Sequence, residues 1–490
     1  MAILNMKTLK LLPGNVKIPD YDINDVKIGI VHLGLGGFFR SHAAAYTDLV
    51  MDESGRKFGI SALTWSNRYL RDSLSSQDGL YSLCERDAAK EEIRIVGSIR
   101  EVLIASDDME KIIDRIASPD VRIVSLTITE KGYHTDQTSL KLKTDTPDIL
   151  NDIKNPDHPK TALGLIVKSL DIRRSKGLGP LTFISCDNVP FNGRLTQSAV
   201  LELAGHHSRG LHDWIRDNAS FPSTMVDKIT PHTTTSDIQS VSSILGVTDH
   251  AAVIAEPFSS WIIEDNFSSD RPMWEKAGVR FVDNIKPYEQ MKLRILNASH
   301  SLVAYLGYLA GYEYIDEAMR NEKFARLIRR FIKDEVFPTL TVDENTLNLY
   351  SPETIISRFS NSRIKYKTSQ VASDGSLKVP IRLLPTLRDL IKCRIEYNIL
   401  PLAIAGWLRY SSGLDEQGSA ISVVDPMAET MLKKGKVAGS GEDLVREYLS
   451  IKEVFGEDIS QNTKFVSKLT SWVNILLEKG AKAAIDMALL

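Results

Sequence analysis

Through the first half of the chain, strand-like runs alternate with helical ones, a pattern that makes an open, mostly parallel α/β sheet the expected fold. Strands are expected at residues 26–34, 58–63, 93–99, 121–129 and 181–186, and helices near 68–75, 109–116 and 163–174. The first strand passes into Gly34-Leu35-Gly36-Gly37-Phe38-Phe39-Arg40 and then into a helical run that reaches Val50. Strand, glycine turn and helix open a dinucleotide-binding fold. Gly34 permits the turn, Gly36 lets a pyrophosphate approach the backbone, and the helix N-terminus offers unpaired N–H groups. Gly37, Phe38 and Arg40 complete the cofactor contacts expected here. Phe39 stands where the third glycine of GxGxxG is usual.

In such a sheet, ligands bind beyond the carboxyl ends of the strands. Polar residues gather at those ends in Thr127-Ile128-Thr129-Glu130-Lys131-Gly132, in Ser185-Cys186-Asp187-Asn188, and in the later segment Met225-Val226-Asp227-Lys228-Ile229-Thr230-Pro231. Asp, Asn and Thr also cap helices and build turns, so both roles stay open at this point. The loop after the second strand reads Thr64-Trp65-Ser66-Asn67-Arg68 and lacks the carboxylate that binds the ribose of NAD. Asn67 and Arg68 are suited instead to a 2′-phosphate.

From about Lys286 the pattern becomes helical, with helices expected at 322–335, 381–397, 400–411 and 465–489. Two domains follow: residues 1–285, a Rossmann-type dinucleotide-binding α/β domain, and residues 286–490, a mostly α-helical substrate-binding and catalytic domain. The second opens on Glu289 and the run Lys292-Leu293-Arg294-Ile295-Leu296-Asn297-Ala298-Ser299-His300, followed by apolar residues through Leu309. On an ideal α-helix, Glu289, Lys292, Asn297 and His300 fall within an arc of about 140°. Leu293, Leu296, Leu302 and Val303 already supply an apolar face. The polar four need partners or a substrate, because burial without them costs about 1–3 kcal/mol each.

The 490 residues carry a net charge of −3, which supplies no basic field for nucleic acid. Three cysteines, far apart and without CxxC or Cys/His spacing, argue against disulfides and a zinc site. No stretch approaches about 18 uninterrupted apolar residues. The expectation is a cytoplasmic, metal-independent enzyme, a monomer or weak homo-oligomer, acting on a small molecule and binding neither nucleic acid nor membrane.

Oxidising an alcohol with a nicotinamide needs a base for the hydroxyl proton and donors for the developing oxyanion. Lys292 can be that base if desolvation lowers its pKa. Asn188 and Asn297 can donate to the oxygen, where one such donor is worth about 2.7–4 kcal/mol. His300 can orient the hydroxyl. Glu289 either relays the proton to water or makes an i,i+3 ion pair worth about 0.2–0.5 kcal/mol. Tyr288 and Lys292 also spell the YxxxK pair of short-chain dehydrogenases, but the glycine pattern is wrong for that class and Asn297 and His300 would have no task.

The ordered set IVHLGLGGFFRSH, TITEKGY, SCDNVPFNG, STMVDKITP and KLRILNASHS resembles the mannitol dehydrogenase family of long-chain, metal-independent polyol and uronate dehydrogenases, over nearly the whole chain. The resemblance implies a Rossmann-type domain, a helical C-terminal domain and an active site between them. It implies Lys292 as general acid/base, Asn188 and Asn297 as the polarising pair, His300 and Asp227 as substrate contacts, and Glu289 as a proton gate. Lys228 stands where the family usually has Arg, which keeps charge and loses the bidentate fork.

Residues 366–382 and 406–418 are similar to the fructuronate-reducing branch of that family. Gln370 stands where mannitol-oxidising relatives usually have Arg, and Arg382 where they have an aromatic. Arg382, Lys365 or Lys367 can supply the cation that a uronate carboxylate needs. The expected reaction is therefore D-mannonate with D-fructuronate, using NAD, with NADP as the alternative cofactor and mannitol, arabinitol or another polyol as the alternative substrate. A catalytically silent sugar-acid binding protein and a zinc-dependent polyol dehydrogenase are the readings from other classes.

Overall fold

The computed structural model describes residues 1–136 and 139–490. They form two compact units, Met1–Lys286 and Pro287–Leu490. The first is built on a six-stranded sheet of order β5-β2-β1-β6-β7-β8, comprising β1 (Ile28–Leu33), β2 (Gly59–Thr64), β5 (Ile99–Ile104), β6 (Ile123–Leu126), β7 (Leu181–Ser185) and β8 (Ala219–Ser220). Every pairing in it is parallel. Ile30, Ile60, Ala62, Ile123 and Ile184 enter one core, whereas Val31, Leu33, Leu63, Val124, Leu126 and Phe183 enter another. Both sheet faces are therefore covered, which is why these strands read as continuous apolar runs rather than as alternating ones.

Two smaller sheets depart from simple βα alternation: β10 (Val253–Ala255) with β3 (Tyr81–Arg86) and β4 (Glu91–Val96), and β12 (Arg280–Val282) with β11 (Ser260–Glu264) and β9 (Thr224–Asp227). The run 93–99, expected as one strand, is split between β4 and β5, which lie in different sheets. The break falls at Gly97, whose N–H donates to the buried Asp48 carboxylate at 2.7 Å. A Cβ there would stand 3.1 Å from both Pro19 and the Tyr21 hydroxyl.

The missing third glycine has a structural answer. Phe39 is buried and stacks on the imidazole of His32 in β1, with centroids 3.4 Å apart and planes 6° from parallel. A glycine usually lets helix and strand close together; here an aromatic pair fills the gap. Burial pushes His32 down to about 3, so the ring is neutral. Its Nδ1 lies 2.9 Å from Ser125 Oγ, and its Nε2 lies 3.0 Å from Thr127 Oγ1 and 3.2 Å from the Gly34 carbonyl.

The second unit is helical. The run expected as one α-helix from Lys286 to Leu309 is α-helical over Lys286–Lys292, π-helical over Leu293–Asn297 and α-helical again over Ala298–Leu309. The last part packs on Thr368–Ala372 and Ile399–Ser411, and Ile399–Ser411 packs on Thr463–Ala488. The expected helix 381–397 is instead two, Gly375–Arg382 and Leu384–Cys393, the second opening on Pro385. Proline suits a helix start because its missing N–H has no partner there anyway. The expected 322–335 helix ends in a second π segment, Phe331–Val336. From it the buried Glu335 accepts the N–H groups of Asn398, Ile399 and Leu400 at 2.7, 2.7 and 2.8 Å. Among the described residues, no helix is long and apolar enough to cross a membrane.

Phe39→Gly would complete the GxGxxG pattern and empty the stack on His32. It is expected to lower stability by about 3 kcal/mol or more, read as a lower midpoint in urea or thermal unfolding; an unchanged midpoint would count against the stack as the element closing this turn.

Candidate functional site

The glycine turn joins β1 to the short helix Gly37–Ser41. Gly34 has φ +107°, and a Cβ on it would stand 2.1 Å from the Thr127 carbonyl oxygen, so only glycine fits. Beside Gly36 the space is open: a Cβ there would stand 3.8 Å from its nearest neighbour, the Gly34 oxygen. That is the free backbone approach a pyrophosphate requires, and the helix that follows begins at Gly37, with Gly36 as its N-cap. Thr127 Oγ1 donates to the Gly34 carbonyl at 2.7 Å, tying the loop after β6 to the turn.

Arg40, expected among the cofactor contacts, is placed otherwise. It is buried, its Nε donates to the Gly36 carbonyl at 3.2 Å, its Nη1 donates to the Ala251 carbonyl, and it lies over the Tyr81 ring. It supports the turn from beneath, because a helix position one turn after Gly36 points its side chain back at that carbonyl. Asn67 caps the helix Arg68–Ser76 by accepting the Leu70 N–H at 3.0 Å. Arg68 is paired with Asp107.

At the ends of β6 and β7 one carboxylate organises two loops. Asp187 accepts the Ile128 and Thr129 N–H groups at 3.0 and 2.9 Å and the Tyr133 hydroxyl at 2.7 Å. Thr129 is held at φ +63°, a conformation that needs such outside support. Burial raises the Asp187 carboxyl above its usual range, while these three donors pull the other way. Its neighbour Asn188 is exposed at the strand end. Asp227, last residue of β9, is buried. Lys228, expected to meet substrate, is buried instead in an ion pair with Glu85, Nζ to Oε1 2.6 Å. A buried ammonium needs a carboxylate, and Glu85 in β3 provides it.

In the second unit Glu289, Lys292, Asn297 and His300 are all buried, at 7–9% exposure. The π segment changes their alignment. Residues five apart stand about 140° apart in α geometry, whereas π geometry links i to i+5 and brings them to a near-common face. Lys292 and Asn297 are five apart, with His300 one α turn beyond. The face is therefore narrower than the ideal wheel drew it. The Asn297 Nδ2 is buried with no hydrogen-bond partner among the described residues. His300 stacks on Phe359 at 3.9 Å and meets Tyr366 edge-on.

Of the candidate cations, Lys365 pairs with Asp316 at 3.4 Å and Lys367 with Glu313 at 3.0 Å, both over the Tyr314 ring. Arg382 has no such carboxylate among the described residues. Its Nη1 donates to Ser301 Oγ at 3.1 Å and to the Asn297 carbonyl at 3.4 Å, and its Nε is buried without a partner there. Burial lowers its pKa, with Tyr305, Tyr366 and Asp374 opposing. Gln370 lies on the exposed side of Thr368–Ala372. A cavity of about 310 Å³ beside Phe191, Arg194, Glu264, Asp283 and Lys286 is lined by none of the expected site residues. Among the described residues, no group of three or more His, Cys, Asp or Glu side chains is arranged to hold a metal.

Sequence reasoning passed over His32 and the organising role of Asp187. A histidine inside an otherwise apolar strand, two residues before the glycine turn, was the available signal for the first. Nothing in the sequence marked the π segment.

A parallel sheet with a glycine turn at its central strand, and a separate helical unit carrying a buried lysine and amide, are the parts of a dinucleotide-dependent oxidoreductase. Sequence models of the mannitol dehydrogenase Rossmann domain and of the mannitol dehydrogenase C-terminal domain match residues 28–276 and 284–477. The D-mannonate oxidoreductase of Escherichia coli K12 is 42% identical over 95% of this chain and 97% of its own. Among solved structures, the mannitol 2-dehydrogenase of Pseudomonas fluorescens, in ternary complex with NAD and D-mannitol, is 37% identical, with a TM-score of 0.85 over 99% of both chains. A substrate-free D-sorbitol dehydrogenase is 34% identical, with a TM-score of 0.91 over 99% of this chain and 100% of that one. The chain belongs to the mannitol dehydrogenase family of oxidoreductases, as its motif order implied.

Asp187→Asn keeps the shape and turns one acceptor oxygen into a donor facing other donors. It is expected to lower kcat by about 10–100-fold, with NADH affinity, measured by fluorescence titration, changing much less. An equal loss of NADH affinity would mean that Asp187 supports the fold rather than the reacting groups.

Proposed function

We propose that this protein interconverts D-mannonate and D-fructuronate, using NAD and no metal ion. The observation that carries an oxidoreductase reading of the second unit is the buried Asn297 amide with no acceptor for its Nδ2, on the face it shares with Lys292. Such a donor costs about 1–3 kcal/mol in the resting protein. A substrate oxygen offsets that cost, most strongly when the oxygen gains negative charge.

Bound at the glycine turn, NAD supplies the acceptor for the hydride that leaves the carbinol carbon. Lys292 takes the hydroxyl proton in oxidation and returns it in reduction. Asn188 and Asn297 are the amide donors assigned to that oxygen, where such donors stabilise the negative charge as it develops. His300, held by its stack on Phe359, and Asp227 bind neighbouring hydroxyls. Glu289, one turn before Lys292, passes the proton to water.

Arg382 favours a sugar acid over a neutral polyol. A half-buried arginine with a buried, unmet Nε–H and no carboxylate partner among the described residues matches a substrate carboxylate. The 42% identity to a D-mannonate oxidoreductase supports the same choice. Oxidation of mannitol is the second reading, supported by the solved relative that holds D-mannitol.

Following NADH oxidation with D-fructuronate and D-fructose side by side is expected to give the higher kcat/KM with fructuronate. Arg382→Gln is expected to lower that value by about a hundredfold, and Arg382→Lys to restore part of it. A preference for fructose in the unaltered protein overturns the substrate assignment. Lys292→Ala is expected to abolish turnover while NADH still binds, and Tyr288→Phe to have a mild effect; the opposite pattern would transfer the base to Tyr288. Turnover is expected to persist in excess chelator.

A further inference from the structure

The ribose end of the dinucleotide site carries a charge pattern unlike that of a strict NAD enzyme, which presents a carboxylate after the second strand. Here the loop is Thr64-Trp65-Ser66-Asn67-Arg68. β2 and β5 are parallel neighbours with Thr64 opposite Ile104, so the loops leaving them emerge side by side. From the second loop, Asp107 at the start of the helix Ala105–Ile116 meets Arg68 through both carboxylate oxygens, one at 2.7 Å from Nη2. The same Nη2 lies 3.3 Å from Ser106 Oγ, which donates to Asp107 at 2.9 Å. The fork of Arg68 is thus occupied by an anion from the neighbouring loop.

We propose that Asp107 occupies the place a 2′-phosphate takes on Arg68, and that the Arg68–Asp107 pair lets this protein bind NADP(H) as well as NAD(H). The inference rests on the dinucleotide site at the glycine turn. Both side chains are accessible, Arg68 at 55% and Asp107 at 37% exposure. An exposed ion pair is solvated and screened and holds its partners weakly. A phosphate brings more charge and three acceptor oxygens to the same bidentate fork, with the Ser106 hydroxyl already within reach of Arg68. With NAD(H), Asp107 stays on Arg68 and neutralises it. With NADP(H), the phosphate displaces Asp107, and the repulsion between the two anions makes Asp107 the residue that sets the ratio between the nucleotides.

Equilibrium titration of the full chain with NADH and NADPH, read by protein fluorescence and without any sugar, tests this. The unaltered protein is expected to bind NADPH within about tenfold of NADH. Asp107→Ala is expected to tighten NADPH binding by about threefold or more with NADH binding little changed, and Arg68→Gln to shift the affinity ratio toward NADH by about tenfold or more. NADPH binding more than about a hundredfold weaker than NADH overturns the proposal. So does a ratio unmoved by both substitutions, which makes the pair a simple clasp between two helix starts. A selective loss of NADH in Asp107→Ala also overturns it, because Asp107 would then be the ribose-binding carboxylate. Failure of the unaltered protein to bind either nucleotide would overturn the underlying dinucleotide-site reading instead.

Discussion

Burying polar side chains on a helix whose other faces are apolar is the constraint on which the second unit turns. Lys292, Asn297 and His300 sit at 7–9% exposure on a helix whose neighbours Ile295, Leu296, Leu302 and Val303 are core residues. Desolvation of three such groups opposes folding. The helix accommodates them by changing its own geometry: the π segment Leu293–Asn297 carries Asn297 around toward the face of Lys292 while Ile295 and Leu296 stay buried. A straight α-helix would leave these two side chains about 140° apart. π segments are rare and cost hydrogen-bond quality, and they recur where a side chain must be aimed.

The first unit meets a related constraint with local braces. A backbone turn open to a phosphate has no side chains of its own to hold it, so its support must come from outside. Here the support is the neutral His32, which lies against Gly34 and Thr127 and is itself covered by Phe39, together with Arg40, which donates to Gly36 and Ala251. Asp187 does the same for the loops after β6 and β7, with three donors converging on one carboxylate. Residues that look like ligand contacts by position, Arg40 and Lys228 among them, are used as such braces. Buried cations must be neutralised or fully hydrogen-bonded, and the nearest carbonyl or carboxylate does so.

Much of the organisation was legible in the residues. Four of the five strand-like runs and the glycine turn follow from periodicity and from the conformational freedom of Gly34. The helical character of the second unit and the polar cluster on its first long helix follow from spacing. The family followed from the order of five motifs. Less legible were features that depend on contacts between distant segments. The division of 93–99 between two sheets turns on Asp48 and Tyr21 meeting Gly97, and the pairing of Lys228 turns on Glu85 in another sheet. Lys365 and Lys367 looked equivalent to Arg382 as cations until Asp316 and Glu313 were seen beside them.

By itself the sequence determined the two-part organisation, the dinucleotide-binding class of the first unit and the family, because these rest on period, composition and residues whose backbone freedom or chemistry has few substitutes. Tertiary structure decided which polar residues are left with something to bind. Arg40, Lys228, Lys365 and Lys367 are satisfied within the fold, whereas the Asn297 amide and the Arg382 Nε are buried and unmet among the described residues. Satisfaction of a buried hydrogen-bonding group depends on which chain segments arrive beside it, and that is settled only when distant residues are packed together.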